Sequence, residues 1–118
     1  MKMNVTHMAI SFSTLAEVHP HRHDDWEIIL NLQGTGENRV NKQVSSFEPD
    51  SIMICPPGVL HEKRAAEGTF QDIYATVQDP LGYAGLPPCT LRDDASHTIR
   101  TLMLTAHQIG RASCRERV

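Results

Sequence analysis

His19-Pro20-His21-Arg22-His23-Asp24-Asp25-Trp26-Glu27-Ile28-Ile29-Leu30-Asn31-Leu32-Gln33-Gly34 sets three imidazoles and the Glu27 carboxylate against an apolar run that stops at a glycine. Residues 26–32 read as a strand bounded by the Gln33-Gly34-Thr35-Gly36 turn. Side chains on an extended chain alternate faces, so His21, His23 and Glu27 share one side if the pairing is unbroken. Further on, Pro56-Pro57-Gly58-Val59-Leu60 forms a rigid turn that can bring His61 across from a strand paired with the first. Histidines with one carboxylate suit divalent zinc, iron, manganese, nickel or copper without choosing among them. The competing reading makes His19–His23 a solvated loop that binds metal only adventitiously, and makes Glu27 a carboxylate at the barrel edge. Trp26, the single tryptophan, has a core role as its first reading.

Outward from this stretch, the chain reads as short strands punctuated by turns. Residues 5–12 alternate His7, Ala9 and Ser11 with the larger apolar Met8, Ile10 and Phe12, the two-residue period of a half-buried strand. Residues 37–40 and 43–47 flank Asn41-Lys42, a tight hairpin turn because Asn tolerates positive φ. Glu48-Pro49-Asp50-Ser51 is another turn, Ile52-Met53-Ile54-Cys55 a short apolar strand, and residues 70–77 one more strand. Gly and Pro concentrate between Gln78 and Pro88, so residues 79–95 read as a linker. Asp93-Asp94-Ala95-Ser96 then offers capping side chains, and Ile99, Leu102, Met103 and Ala106 recur at helical spacing. These features predict an all-β fold: a small antiparallel β-barrel over residues 1–78, then a helix over 96–108 whose apolar stripe makes a dimer or interdomain contact.

At 118 residues the chain is one domain. It contains no apolar run near the roughly 20 residues that span a bilayer, and no apolar signal region follows Met1. Cys55, Cys89 and Cys114 have no paired spacing, as suits a reducing compartment. The expectation is a cytoplasmic protein without a membrane partner. Residues 109–118 resemble the translation of a short-read sequencing adapter and are set apart as a non-native, disordered tail. Without Arg111, Arg115, Arg117 and Glu116, the 11 basic and 14 acidic residues fall to 8 and 13, a net charge of −5. A body so acidic and without a basic stripe is poorly suited to bind DNA itself.

The motifs carry a resemblance. His21-x-His23, three residues, Glu27, six residues and Gly34 match the core of the first cupin motif, and Pro56-x-Gly58-x-x-His61 matches the core of the second. Leu15 and Asp50 stand where each motif opens with glycine, and Ala65 where the second closes with asparagine. Within cupins the chain most resembles the N-terminal sensor domain of AraC-type transcription regulators, on the run from His21 to Gly34, the Asn41-Lys42 hairpin and residues 47–61. The resemblance implies a double-stranded β-helix barrel and a small-molecule effector such as a sugar or a small aromatic acid. It also implies a homodimer built on the helix, and DNA contact only through a helix-turn-helix domain missing from this chain. Ligand candidates are His21, His23, Glu27 and His61, with Arg39 and Trp26 as secondary ones. The same four residues are the candidate metal ligands. The expectation is a non-enzyme; the alternative is a free-standing metal-dependent cupin enzyme of dioxygenase or isomerase type.

Overall fold

A computed structural model describes residues 8–78 and 87–116, the side chains of 8, 9 and 111–116 excepted. Its elements are β1 (Met8–Leu15), β2 (Glu17–His21), β3 (Trp26–Gln33), β4 (Gly36–Val40), β5 (Gln43–Phe47), β6 (Ser51–Cys55), β7 (His61–Ala65), β8 (Phe70–Val77), β9 (Cys89–Arg92) and α1 (Thr98–Glu116). They form two antiparallel sheets, a five-stranded one ordered β1-β8-β3-β6-β9 and a four-stranded one ordered β2-β7-β4-β5. The predicted all-β barrel with a C-terminal helix is the observed fold.

The central strands of the larger sheet, β8, β3 and β6, are covered on both faces, which explains why β3 reads as a continuous apolar run without alternation. Ile28, Leu30 and Leu32 point one way, into a cluster with Ile52, Ile73, Ala75 and Met103 of α1. Ile29 points the other way, toward Val40, Met53 and Cys55 in the barrel interior. Cross-strand register keeps the two layers apart: Leu30 faces Ile73, while Ile29 faces Tyr74. The smaller sheet has one wet face, and β4 accordingly alternates buried Asn38 and Val40 with exposed Glu37 and Arg39.

Three strands escape sequence reading for separate reasons. β2 contains Pro20, which an edge strand tolerates because the missing N–H faces no ladder partner. β7 (His-Glu-Lys-Arg-Ala) carries polar residues at its inward positions, so it shows no apolar alternation. β9 lies in the stretch that composition assigns to the linker; it pairs with β6 and is exposed along its length. Residues 5–7 of the first expected strand and 79–86 of the linker lie outside the described residues.

Asn41 takes φ 54° in the two-residue β4–β5 turn, as expected. Asp50 takes φ 76°, which explains why the second cupin motif opens with glycine at this place. Its carboxylate accepts hydrogen bonds from Arg100 and His97, tying α1 to the β5–β6 turn. Asp93 caps α1 by accepting the Ile99 and Arg100 amides.

The helix runs on to Glu116, so the backbone of 109–116 is helical and not a disordered tail. The expected apolar stripe divides. Met103 is buried against the larger sheet with Ile99 and Leu104 beside it, Ala106 is half-buried, and Leu102 is 61% exposed. Met103→Ala should therefore cost roughly 2–5 kcal/mol of stability, whereas Leu102→Glu should leave the melting temperature within about 2 °C. Thermal denaturation of the two variants checks both.

Candidate functional site

His21, His23, Glu27 and His61 converge, with one ligand atom from each lying within 4.8 Å of all the others. Strand parity is not the cause. β2 ends at His21, His23 sits in the crossing loop, and Glu27 belongs to β3 in the other sheet. A bulge between Val18 and His21 lets both of these residues line the interior although three positions separate them. His61 is paired directly with His21 across β2 and β7. The Gly58 amide donates to the His23 carbonyl, pinning the Pro56-Pro57-Gly58 turn to the crossing loop.

Each imidazole is oriented by its own backbone. His21 Nδ1–H donates to the His19 carbonyl, His23 Nδ1–H to Asp25 and His61 Nδ1–H to Val59, all at 2.9 Å. This common arrangement leaves the three Nε2 atoms for the centre of the cluster, as in metal-binding histidines, where a hydrogen bond from one ring nitrogen fixes the other toward the ion. The His21 and His61 ring centroids are 4.2 Å apart. Glu27 Oε2 lies 2.8 Å from His23 Nε2, and Glu27 Oε1 lies 3.7 Å from His61 Nε2. His61 is only 3% exposed, and its Nε2 has no hydrogen-bond partner among the described residues. A buried, unpaired nitrogen facing two further imidazoles and a carboxylate fits a divalent cation.

Burial alone would raise the Glu27 carboxyl, but the His61 and His23 imidazoles outweigh it and hold the group below its ordinary value. Burial would likewise lower His61; the Glu27 carboxylate and the Val59 carbonyl reverse this and hold it above the ordinary imidazole value. Cys55, opposite Glu27 in the β3–β6 register, is pushed up to about 12 by burial and then by the Glu27 charge. Its thiol should resist iodoacetamide at pH 8 in the native protein, while exposed Cys89 reacts; peptide mapping after alkylation reads this directly.

The cluster opens onto a cavity of about 240 Å³ between the sheets, with apolar walls from Leu15, Val18, Ile29 and Met53. Arg39 and Trp26 do not line it. Arg39 projects outward from β4 and pairs with Glu62 at 3.3 Å. Trp26 shares the parity of Ile28 and Leu30, which places it on the sheet face away from Glu27. The cavity also has polar residues that sequence reading missed, Lys63 and Asp72. Lys63 Nζ donates to Asp72 Oδ2 and Asn31 Oδ1, each at 3.0 Å, and lies 4.4 Å from the Phe47 ring centroid and 4.3 Å from that of Phe70. The available signal was a polar residue within each of two largely apolar strands, Asn31 and Asp72, which prove to be register partners.

No helix among the described residues is long and apolar enough to cross a membrane. The chain is 41% identical over 49 residues to 5-nitrosalicylic acid 1,2-dioxygenase from a Bradyrhizobium species; the match covers 42% of this chain and 24% of that protein. It thus spans about a quarter of that relative's length. Among solved structures, the cupin domain of Cnp3 from Schizosaccharomyces pombe superposes with a TM-score of 0.59 at 20% identity, covering 69% of this chain and 63% of that one. A cupin superfamily protein from Desulfitobacterium hafniense gives 0.57 at 22% identity, covering 63% and 70%. These likenesses show the cupin fold. The AraC-like ligand binding domain family matches residues 12–78, more than half of the chain, and with the barrel and both motif cores in place the chain belongs to that family.

Proposed function

We propose that this chain is the small-molecule-sensing domain of an AraC-type transcription regulator. The observation that carries this reading is the two-faced larger sheet: β3, β6 and β8 present Glu27, Met53 and Asp72 to the cavity, and Leu30, Ile52 and Ile73 to α1. A molecule that changes the spacing of these strands changes the bed on which the helix rests. Its leverage is its difference in affinity between the two helix arrangements, typically about 1–3 kcal/mol. Exposed Leu102 is the part of the apolar stripe left for a second copy or a neighbouring domain. DNA contact belongs to a helix-turn-helix domain outside this chain. Hydrogen exchange on the protein, with and without a binder found by thermal shift, tests the reading. Slower exchange in β3 and β6 together with altered exchange in α1 is expected. A cavity binder that leaves α1 unchanged defeats the sensor role.

The histidine cluster supports a second reading, a metal-dependent enzyme of dioxygenase type, consistent with the named activity of the Bradyrhizobium relative. His21, His23, Glu27 and His61 would hold the ion, which would supply Lewis acidity to a bound oxygen donor. Oxygen uptake by the iron-loaded protein with a hydroxylated aromatic acid would favour this reading over the sensor.

A further inference from the structure

A second part of the cavity wall is as specifically built as the histidine cluster, and the metal and sensor readings leave it unused. Lys63 and Asp72 are each 4% exposed. Lys63 spends two donors, on Asp72 Oδ2 and Asn31 Oδ1, and rests over two phenylalanine rings. Asn31 is in turn fixed by donating its Nδ2 to the Gly34 carbonyl. Asp72 is thereby held at one oxygen only. Asp72 lines the cavity, and its Oδ1 is buried without a hydrogen-bond partner among the described residues. A buried carboxylate oxygen left without a donor is costly, and folding gains nothing from it, since an apolar pair in place of a buried ion pair is generally neutral or stabilising. The free oxygen therefore has the character of a binding group.

We propose that Asp72 Oδ1, positioned by Lys63, accepts a hydrogen bond from a hydroxyl of the bound molecule, making Asp72 the residue by which this cavity selects small hydroxylated ligands over analogues lacking that hydroxyl. The inference rests on reading the cavity as the effector site. Burial drives the Asp72 carboxyl above its ordinary value despite the pull of Lys63, and the Glu27 charge adds to the rise, so a donor reaching Oδ1 relieves an unfavourable charge. The discrimination comes chiefly from the oxygen left unpaired when the hydroxyl is missing, and should be roughly tenfold or more.

Neutral probes in matched pairs remove ligand charge from the comparison: 1,4-cyclohexanediol against 1,4-dimethoxycyclohexane, and benzene-1,4-dimethanol against 1,4-bis(methoxymethyl)benzene, the capped member of each pair having no O–H donor. Dissociation constants are measured by ligand-observed NMR on the wild type, on Asp72→Asn and on the double variant Lys63→Met/Asp72→Leu. The wild type is expected to prefer the diols by roughly tenfold or more, and both variants to bring that ratio to about one. The double variant guards against misfolding, because it should melt at or above the wild-type temperature while losing the preference. A purely structural Lys63–Asp72 pair would shift melting and leave the ratio intact. Capped probes binding the wild type as well as the diols overturn the inference but leave the effector site standing. Failure of every probe to bind overturns both.

Discussion

Replacing His61 with alanine is expected to lower affinity for a divalent ion by at least about 100-fold, since the loss of a mere supporting hydrogen bond around a metal already costs 10–100-fold. His61 is the most buried of the four candidate ligands, so no water-exposed side chain can swing in to replace its Nε2. Titration of the chelated protein with zinc, monitored by calorimetry, measures the effect. Wild-type affinity should climb as pH rises through the imidazole range, because the metal must displace the proton that Glu27 helps His61 to hold. The metal-free protein should show a different profile. Glu27 is held below its ordinary 4.5, so its contribution to stability is present above that value and fades as pH falls through the folded value. His61 is held above its ordinary 6.5, so its contribution is complete below that value and fades as pH rises through the folded one. Together they stabilise the fold most between 4.5 and 6.5, and His61→Ala should flatten that optimum. Metal affinity and pH profile both unchanged in the variant would remove the cluster from any metal role.

Phe70→Ala is expected to destabilise the protein by about 3–5 kcal/mol, a large share of the roughly 5–15 kcal/mol that holds a domain folded. Phe70 is fully buried, meets Phe47 edge to face at 5.7 Å between centroids, and forms part of the bed beneath the Lys63 ammonium. Truncation opens a cavity and also withdraws a ring face from a buried cation, so two penalties add. Gly34 shows how closely the surroundings have packed: a Cβ there would come within 2.9 Å of the Phe70 Cα. Urea unfolding followed by tryptophan fluorescence reads the change through Trp26. A loss below about 1 kcal/mol would mean that the site relaxes to fill the gap and that Phe70 is not central to the barrel.

Residues 26–32, 52–55 and 70–77 were legible as strands, and residues 96–108 as a helix, because each buries an apolar face and burial leaves a periodic trace. The paired motif cores identified the four clustered side chains as well. Sequence alone therefore determined the barrel, its terminal helix and the candidate ligands. Which sheet each ligand comes from was decided only by the tertiary structure. The crossing loop between β2 and β3 and the bulge at Val18–His21 break the parity that an unbroken strand would impose, yet deliver the same convergence. Arg39 and Trp26 could not be excluded from the cavity until the faces of β4 and β3 were known. The helix stripe divided between core and surface because only the sheet beneath it decides which apolar side chains are covered. The Lys63–Asp72 pair stayed hidden for a related reason. Its members lie nine residues apart on strands of different sheets, and a polar residue facing an interior cavity has the same local pattern as one facing water.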